Sequence, residues 1–363
     1  MRVAVVGAGI LGASVALRLA QGGARVWLLD KAEPASGTTS ASFAWVNANN
    51  KTPREYFELN RAGMEEHLRL RAELPGGAPW MHRSGNLIWA AGKDFNELER
   101  RVERLRSWSY AAEWWTASRV KAELEPPVNF PDPDIPVAFF PEEGWVDAPL
   151  LTNTLIGLAR RNDAEVRSSL AVRSVEMDGD RVSGIRLASG EYLPVDAVVN
   201  AAGPGADLVA DLLGRELPLT PRRGLLACVA VDGEPLRRIF HSPRVNLRPD
   251  GPGHLLLHHP SVDKKLDDEP LAALCSELVE RAREIMPALE GAGVVEKWVG
   301  TRPIPEDGFP CVGAVAGIPG YYEAVTHSGV TLGPLIGRLL AKEILAGEID
   351  PLLAPFRPDR FDS

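Results

Sequence analysis

Two periods alternate along this chain, a short apolar run of the strand type and a 3.6-residue repeat of the helix type. Arg2–Val6 (RVAVV) is apolar and β-branched, which predicts a buried parallel strand. Gly7-Ala8-Gly9-Ile10-Leu11-Gly12 follows, then helical spacing at Val15 and Leu19, then a second apolar run over 25–29 that ends on Asp30. The order is strand, glycine turn, helix, strand, acid, which is one βαβ unit.

Further along, residues 53–74 carry a helical pattern with Leu59, Met64 and Leu68 on one face, and Pro75-Gly76-Gly77 is expected to stop it. Residues 84–91 read as a strand. Residues 97–106 read as a surface helix with Leu98, Val102 and Leu105 inward. The tract 125–145, rich in proline and acid, reads as a crossover, and 150–161 as a helix. A strand is expected around Ala171 and Val172, and a hairpin joins 181–187 to 192–195 through Ser189-Gly190. The apolar strand 196–200 runs into Ala201-Ala202-Gly203-Pro204-Gly205. Strands are predicted at 225–231, 244–247 and 254–259. A helix over 270–286 turns Leu271, Leu274, Leu278, Ala282 and Ile285 inward, and a last helix does the same with Ile336, Leu340 and Ile344. This pattern predicts an α/β chain. A Rossmann-like nucleotide-binding domain spans 1–79, 146–221 and 300–363, and an antiparallel-sheet (α+β) substrate domain from 80–145 and 222–299 is inserted into it.

The glycine turn carries the first chemistry. Gly7 permits the tight turn, Gly9 lets backbone approach a pyrophosphate, and Gly12 lets helix pack closely on strand. The helix N-terminus offers free N–H groups and partial positive charge to phosphates. Asp30 is placed to accept hydrogen bonds from a ribose, which favours FAD or NAD over NADP and leaves those two open. The hydroxyl-rich run from Ser36 to Ser42 supplies further donors for the same pyrophosphate. Residues 43–50, FAWVNANN, mix large apolar groups with amides and would suit the wall of a pocket. Near the C-terminus, His327-Ser328-Gly329 again joins a glycine loop to a helix N-terminus.

Composition narrows the field. At 363 residues the chain can hold two domains, and a net charge of −9 argues against nucleic acid and anionic membranes as partners. No apolar run reaches the roughly 20 residues of a membrane span. The first strand starts at residue 2, where a cleavable signal would destroy the nucleotide site, so the cytoplasm is the expected location. Cys228, Cys275 and Cys311 are isolated in apolar contexts and are expected as reduced core thiols. His258 and His259 are the one close pair of metal-ligand type, but adjacent strand residues face opposite ways, so no metal site is expected. Glu142, Glu143 and Asp147 read as solvated charges.

Taken together, GAGILG (7–12) with Asp30, TTSA (38–41), VVNAAG (198–203), GTRP (300–303), the HSG loop (327–329) and the tail from Phe356 to Phe361 resemble the FAD-dependent D-amino-acid oxidase family, which includes glycine oxidase, sarcosine oxidase and D-amino-acid dehydrogenase. The resemblance spans the chain and implies FAD as cofactor. It implies that Gly7, Ala8, Gly9, Ile10, Leu11, Gly12, Asp30, Lys31, Thr38, Thr39 and Ser40 surround the adenosine and pyrophosphate, with the Val172 backbone on adenine. Ala201, Ala202 and Gly203 make a second close approach. Ala44 and Trp45 lie beside the isoalloxazine, and Ser328, Gly329, Val330, Thr331 and Leu332 lie at its pyrimidine edge. Arg302 matches the arginine that holds a substrate carboxylate. The competing expectation for Arg302 is an ion pair with Glu306 or Asp307.

Trp45, Asn47, His258 and His327 complete the candidate catalytic residues, and His241 is a further pocket candidate. Some features depart from the family. The loop HSGVTLGP is short, Gly205 stands where an aromatic residue is common, and strands over 222–260 carry no tyrosine, which disfavours an ordinary D-amino-acid oxidase. No cysteine lies in or beside GTRP, so the FAD is expected to be non-covalent. The implied activity is oxidation of the C–N bond of a small amino acid or N-substituted amino acid, with hydride transfer to flavin N5. A small carboxylate-bearing substrate and O2 or an electron carrier are the implied partners. Two alternatives stay open: 2-hydroxy-acid oxidation with His258 or His327 as base, and a non-catalytic flavin-binding module.

Overall fold

The buried, β-branched strands found at the N-terminus nucleate a parallel sheet. The computed structural model describes residues 1–74, 77–233 and 236–362. Its central sheet has six strands in the order Cys311–Ala314, Tyr321–Val325, Ala197–Asn200, Arg2–Val6, Arg25–Leu29, Glu165–Arg167. All neighbours are parallel except the first pair. The chain-terminal strand Tyr321–Val325 therefore lies one strand away from the N-terminal one. The parallel pairing brings the carboxyl ends of these two strands to the same end of the sheet.

One face of the sheet is covered by helices Ile10–Gln21, Ala148–Arg161 and Gly329–Ala346, whose apolar sides join Val3, Val5 and Val199 in one core. The other face is covered by the antiparallel sheet Val172–Asp178, Arg181–Leu187, Tyr192–Pro194, packed on Ala4, Trp27 and Val198. Helix on one side and sheet on the other give three layers, each burying one face against the next. Two glycines make the close packing possible. A Cβ on Gly12 would overlap the Gly7 carbonyl, and a Cβ on Gly337 would stand 2.6 Å from the Ser14 carbonyl carbon, so helices Ile10–Gln21 and Gly329–Ala346 meet backbone to backbone.

The second layer system is an eight-stranded sheet built from segments 86–140 and 222–302. Its order is Val294–Arg302, Arg222–Ala230, His254–His258, Asn246–Pro249, Ile239–His241, Asn86–Trp89, Pro136–Phe140, Glu113–Thr116. Helix Leu271–Ile285 packs Leu274, Leu278, Ala282 and Ile285 beneath it. A small sheet of Trp45–Val46, Gly144–Val146 and Met81–His82 stitches the N-terminal loop to this half.

Several expectations are corrected. The tract 125–145 is more than a crossover, because Pro136–Phe140 pairs on both sides with Asn86–Trp89 and Glu113–Thr116. Flanking prolines mask the PVAFF run. Strands Glu113–Thr116 and Ile239–His241, of four and three residues, are too short for a period to mark them. In helix Arg54–Glu73, Leu59 and Met64 are buried as expected, but Leu68 is exposed, and Gly63, His67 and Leu70 complete the inner stripe. The expected stop at Pro75-Gly76-Gly77 falls on residues 75 and 76, which lie outside the described residues. Glu143 is fully buried, whereas Glu142 is exposed and Asp147 caps helix Ala148–Arg161 through its bond from the Leu150 N–H. All three cysteines are free and buried. No helix among the described residues is long and apolar enough to cross a membrane.

Candidate active site

The glycine turn is held open by its neighbours. Gly7 sits at φ +106°, where a side chain is strained, and a Cβ there would overlap the Ala201 carbonyl. Asp30 accepts from the Ala8 N–H at 2.7 Å and from the Ala32 N–H at 2.9 Å, so its carboxylate fixes the turn from below. Thr39 Oγ1 accepts from the Ile10 N–H at 3.2 Å. Beside it lies a narrow cleft of about 80 Å3 walled by Gly9, Ile10, Leu11, Thr38, Thr39, Ala201, Gly203, Gly329 and Val330. At Gly9 an added Cβ would meet Thr39 Oγ1 alone, at 3.1 Å, so this wall is bare backbone.

That cleft opens into a larger cavity of about 480 Å3, and Thr38, Ser42, His327 and Val330 line both. The loop that leaves the nucleotide turn forms one wall of the cavity with Phe43, Ala44, Trp45, Asn47 and Lys51. The eight-stranded sheet forms the opposite wall with Gly224, His241, Asn246, His258 and Arg302. The two walls are tied directly. The Thr38 hydroxyl donates to the Thr301 carbonyl at 2.6 Å, and a Cβ on Gly300 would stand 2.7 Å from Ala41 Cβ.

Arg302 closes strand Val294–Arg302 and faces the cavity. Its partner is neither Glu306 nor Asp307: Nη2 donates to Asp263 Oδ2 at 2.9 Å, with His258 Nε2 at 3.1 Å, while Asp307 pairs with Arg360. Asp263 does not line the cavity, so it holds the guanidinium from behind. Gly224 makes the room, since a Cβ there would stand 2.8 Å from Arg302 Cζ. Burial opposes ionisation of Asp263. Hydrogen bonds from His258 and the Leu225 N–H, with the Arg302 charge, hold its carboxyl below the usual range all the same.

The His241 and His327 imidazoles are neutral near pH 7. Burial, the Asn246 contact opposing it, and the nearby cations leave His241 pushed down to about 4. His327 lies exposed within the cavity but is walled by protein, and that enclosure with Lys51, Arg302 and Arg222 pushes it down to about 4. His241 Nε2 and Asn47 Oδ1 are buried with no hydrogen-bond partner among the described residues, so two polar atoms here await a ligand.

The last helix is aimed at the cavity by a substitution of donors. Pro334 lacks the N–H that would bond the Val330 carbonyl four residues back. His67 Nε2 takes its place and donates to that carbonyl at 2.9 Å, which fixes its tautomer, and burial pushes its pKa down to about 4. Thr331 Oγ1 donates to the Trp45 carbonyl at 3.3 Å, locking the helix start to the N-terminal loop.

Of the residues singled out in sequence, Gly9, Ile10, Leu11, Thr38, Thr39, Ala44, Trp45, Asn47, Ala201, Gly203, His258, Arg302, His327, Ser328, Gly329, Val330 and Thr331 line one or both cavities. Gly7, Ala8 and Gly12 shape the turn without lining it. Ser40 turns its hydroxyl back to the Ser36 and Gly37 carbonyls, Lys31 is exposed, and Leu332 is buried in the helical core. Val172 and Ala202 sit in the apolar cluster on the sheet's other face. Sequence reasoning missed Lys51, Arg101, Asn246 and Asp263. It also missed Glu143, whose carboxylate accepts from Tyr110 Oη at 2.6 Å, Trp45 Nε1 at 2.9 Å, Asn49 Nδ2 at 2.9 Å and Asn86 Nδ2 at 3.0 Å. The run Asn47 to Lys51, amides followed by a lysine before a helix, was the available signal for Lys51.

A dinucleotide cleft leading into a mostly apolar chamber with one oriented guanidinium fits a flavin, with the adenosine half at the glycine turn and the ring in the chamber. The chain belongs to the DAO family of FAD-dependent oxidoreductases, whose match covers residues 2–343. It is similar to a glycine oxidase of Pseudomonas aeruginosa, 28% identical over 98% of this chain and 98% of that one. It is also similar to a glycine oxidase of Bacillus licheniformis, 25% identical over 95% and 93%. The crystal structure of glycine oxidase from Geobacillus kaustophilus superposes with a TM-score of 0.87 at 25% identity, covering 99% of each chain. The protein is thus an FAD-dependent oxidoreductase of the glycine oxidase and amino-acid oxidase type.

Proposed function

We propose that this enzyme oxidises the C–N bond of a small amino acid or N-substituted amino acid, using non-covalently held FAD, with O2 or an electron carrier as the final acceptor. The observation that carries this reading is the Arg302 guanidinium, turned into the chamber and braced by Asp263. Arg302 binds the substrate carboxylate, and the Asp263 contact leaves its other N–H groups free to do so. The six-stranded sheet stands on the nucleotide side, and the eight-stranded sheet, antiparallel as expected except where Ile239–His241 runs parallel to Asn86–Trp89, stands on the substrate side, which supports the domain division proposed in sequence.

Amine oxidation needs a neutral amine beside the ring. The chamber supports that form in two ways: its apolar walls disfavour the ammonium, and neutral His241 and His327 can accept from the amine N–H. The bound flavin supplies the hydride acceptor at N5. Alcohol oxidation instead needs a base, and the two candidates are poor ones. His258 Nε2 is engaged by Asp263 and Arg302, and His327 holds protons weakly. Non-covalent attachment is supported by the thiols, since none of Cys228, Cys275 and Cys311 lines either cavity and Cys311 donates to Glu323 within the core.

One observation favours the N-substituted members of the class. Arg101 lines the same chamber near His241, and its one ion-pair partner among the described residues is the exposed Glu97 at 3.8 Å. A second carboxylate, carried on the amine nitrogen, would meet that second cation. The test is an anaerobic panel of matched amino, N-carboxyalkyl amino and 2-hydroxy acids, read as loss of the flavin's visible absorbance. Bleaching by amino compounds and not by hydroxy acids supports the reading. Bleaching by hydroxy acids alone, or by none, overturns it.

A further inference from the structure

Strands Arg222–Ala230 and Val294–Arg302 end together at the rim of the chamber, and the pair that closes them is Arg222 opposite Arg302. Directly opposed residues of an antiparallel pair project from the same face, with Cβ atoms roughly 5 Å apart. Gly224 and Leu226, two and four residues further along the first strand, line the chamber. Arg222 is therefore the outermost position of the row that walls it. Its neighbour Arg223, on the other face, pairs with Asp267 at 2.6 Å, and Arg302 is balanced by Asp263 at 2.9 Å. Arg222 has no such balance. It is exposed, and it has neither an ion pair nor a side-chain hydrogen bond among the described residues. Like charges placed directly opposite destabilise a sheet, so this pair costs the fold energy that no contact within the chain returns.

The field at the rim runs against that of the molecule. The chain carries a net charge of −9, yet the charges that reach His327 on the chamber wall are those of Lys51, Arg302 and Arg222, all cations. A positive mouth on a negative protein concentrates anions at one place. We infer that Arg222 forms with Arg302 an entry port for anions, in which Arg222 receives a carboxylate at the rim and Arg302 keeps it, so that the enzyme selects substrates of net negative charge. The inference rests on Arg302 as the carboxylate site, and it narrows the substrate class. A simple amino acid has one carboxylate and one ammonium, and as a zwitterion it gains little from such a field. An N-carboxyalkyl amino acid carries two carboxylates to one ammonium and is drawn in. Arg101, on another element of the same chamber, favours the same class independently.

Calorimetric titration of the oxidised holoenzyme with acetate and with malonate tests this without any turnover. At about pH 8 both acids are ionised, one as a monoanion and the other as a dianion. One charge roughly 8 Å away in water changes the affinity of a monoanion about twofold and of a dianion about fourfold. R222Q, with FAD content unchanged, should therefore bind acetate at least about twofold and malonate at least about fourfold more weakly than wild type at ~10 mM ionic strength, where the Debye length is about 30 Å. In ~1 M salt, where that length falls to about 3 Å, the two proteins should converge. R222K should bind both acids as wild type does, because the charge is kept. Equal malonate affinity in wild type and R222Q at low salt overturns the inference. So does a loss of the same size for both acids at every salt concentration, which would mark a displaced Arg302 and not a port. Wild type that binds neither acid would remove the carboxylate site itself, and the port with it.

Discussion

Glu143 offers the sharpest physical test of the chamber's supporting shell. Its carboxyl is fully buried behind Trp45, and burial, opposed by the Tyr110, Asn86, Trp45 and Asn49 donors, pushes it up to about 7 from 4.5. A carboxyl raised on folding grips its proton more tightly in the folded chain than in the unfolded one. Its contribution to stability is therefore complete below pH 4.5 and is lost as pH climbs through 7. At about 1.4 kcal/mol per tenfold change in proton affinity, the loss between about pH 5 and pH 8 is ~2.5 kcal/mol. His67, His241 and His327 pull the other way. Their pKa values fall from 6.5 to about 4, so their contribution is present above 6.5 and fades as pH drops toward 4. The quantity to read is accordingly the difference between wild type and E143Q, in which the histidine slopes cancel. Urea unfolding followed by tryptophan fluorescence should show wild type losing ~2.5 kcal/mol against E143Q between about pH 5 and pH 8. The Gln side chain also gives up acceptor capacity, which adds a constant offset but no slope. A difference that does not move with pH would mean that Glu143 titrates as an ordinary surface carboxylate, and the reasoning would fail.

Two further substitutions probe the substrate wall. R302A should retain FAD while kcat/KM for the amino-acid substrate falls roughly 10²- to 10⁴-fold, because a carboxylate in a poorly hydrated site loses its partner. Steady-state kinetics at the wild-type rate would remove Arg302 from the site. G224A should leave FAD content unchanged and raise KM by about tenfold or more, since its Cβ would stand 2.8 Å from Arg302 Cζ and drive the guanidinium off Asp263. An unchanged KM would show that the guanidinium's placement does not matter.

How much of this was legible in sequence follows from the range over which each signal acts. The βαβ unit was readable because the glycine turn, the helix and Asp30 are contiguous, and Gly7 and Gly12 occupy the backbone positions that the pattern assigns them. Arg302 was readable as a residue but not as a contact. Its partner Asp263 lies 39 residues away and reaches it only through the pairing of strands Arg222–Ala230 and Val294–Arg302. Glu143 was misjudged for a related reason. In sequence it sits beside exposed Glu142 and looks solvated, yet its four donors come from residues 45, 49, 86 and 110, which only the folded sheets assemble. Arg101 lies on a helix rich in charge whose inner edge happens to meet the chamber. Likewise, no local rule links Pro334 to His67, although one supplies the donor that the other lacks.

The central claim is that the glycine turn at one end of the sequence and the His327-Ser328-Gly329 loop at the other close on a single flavin, with Arg302 facing its substrate. A crystal structure of the FAD-loaded protein soaked with a small unreactive carboxylate tests this most directly. The adenosine half should follow Gly7 to Gly12, the ring should fill the chamber between Trp45 and Thr331, and the carboxylate should sit on Arg302. A ring outside that chamber, or a carboxylate bound elsewhere while Arg302 keeps to Asp263 alone, would contradict the account.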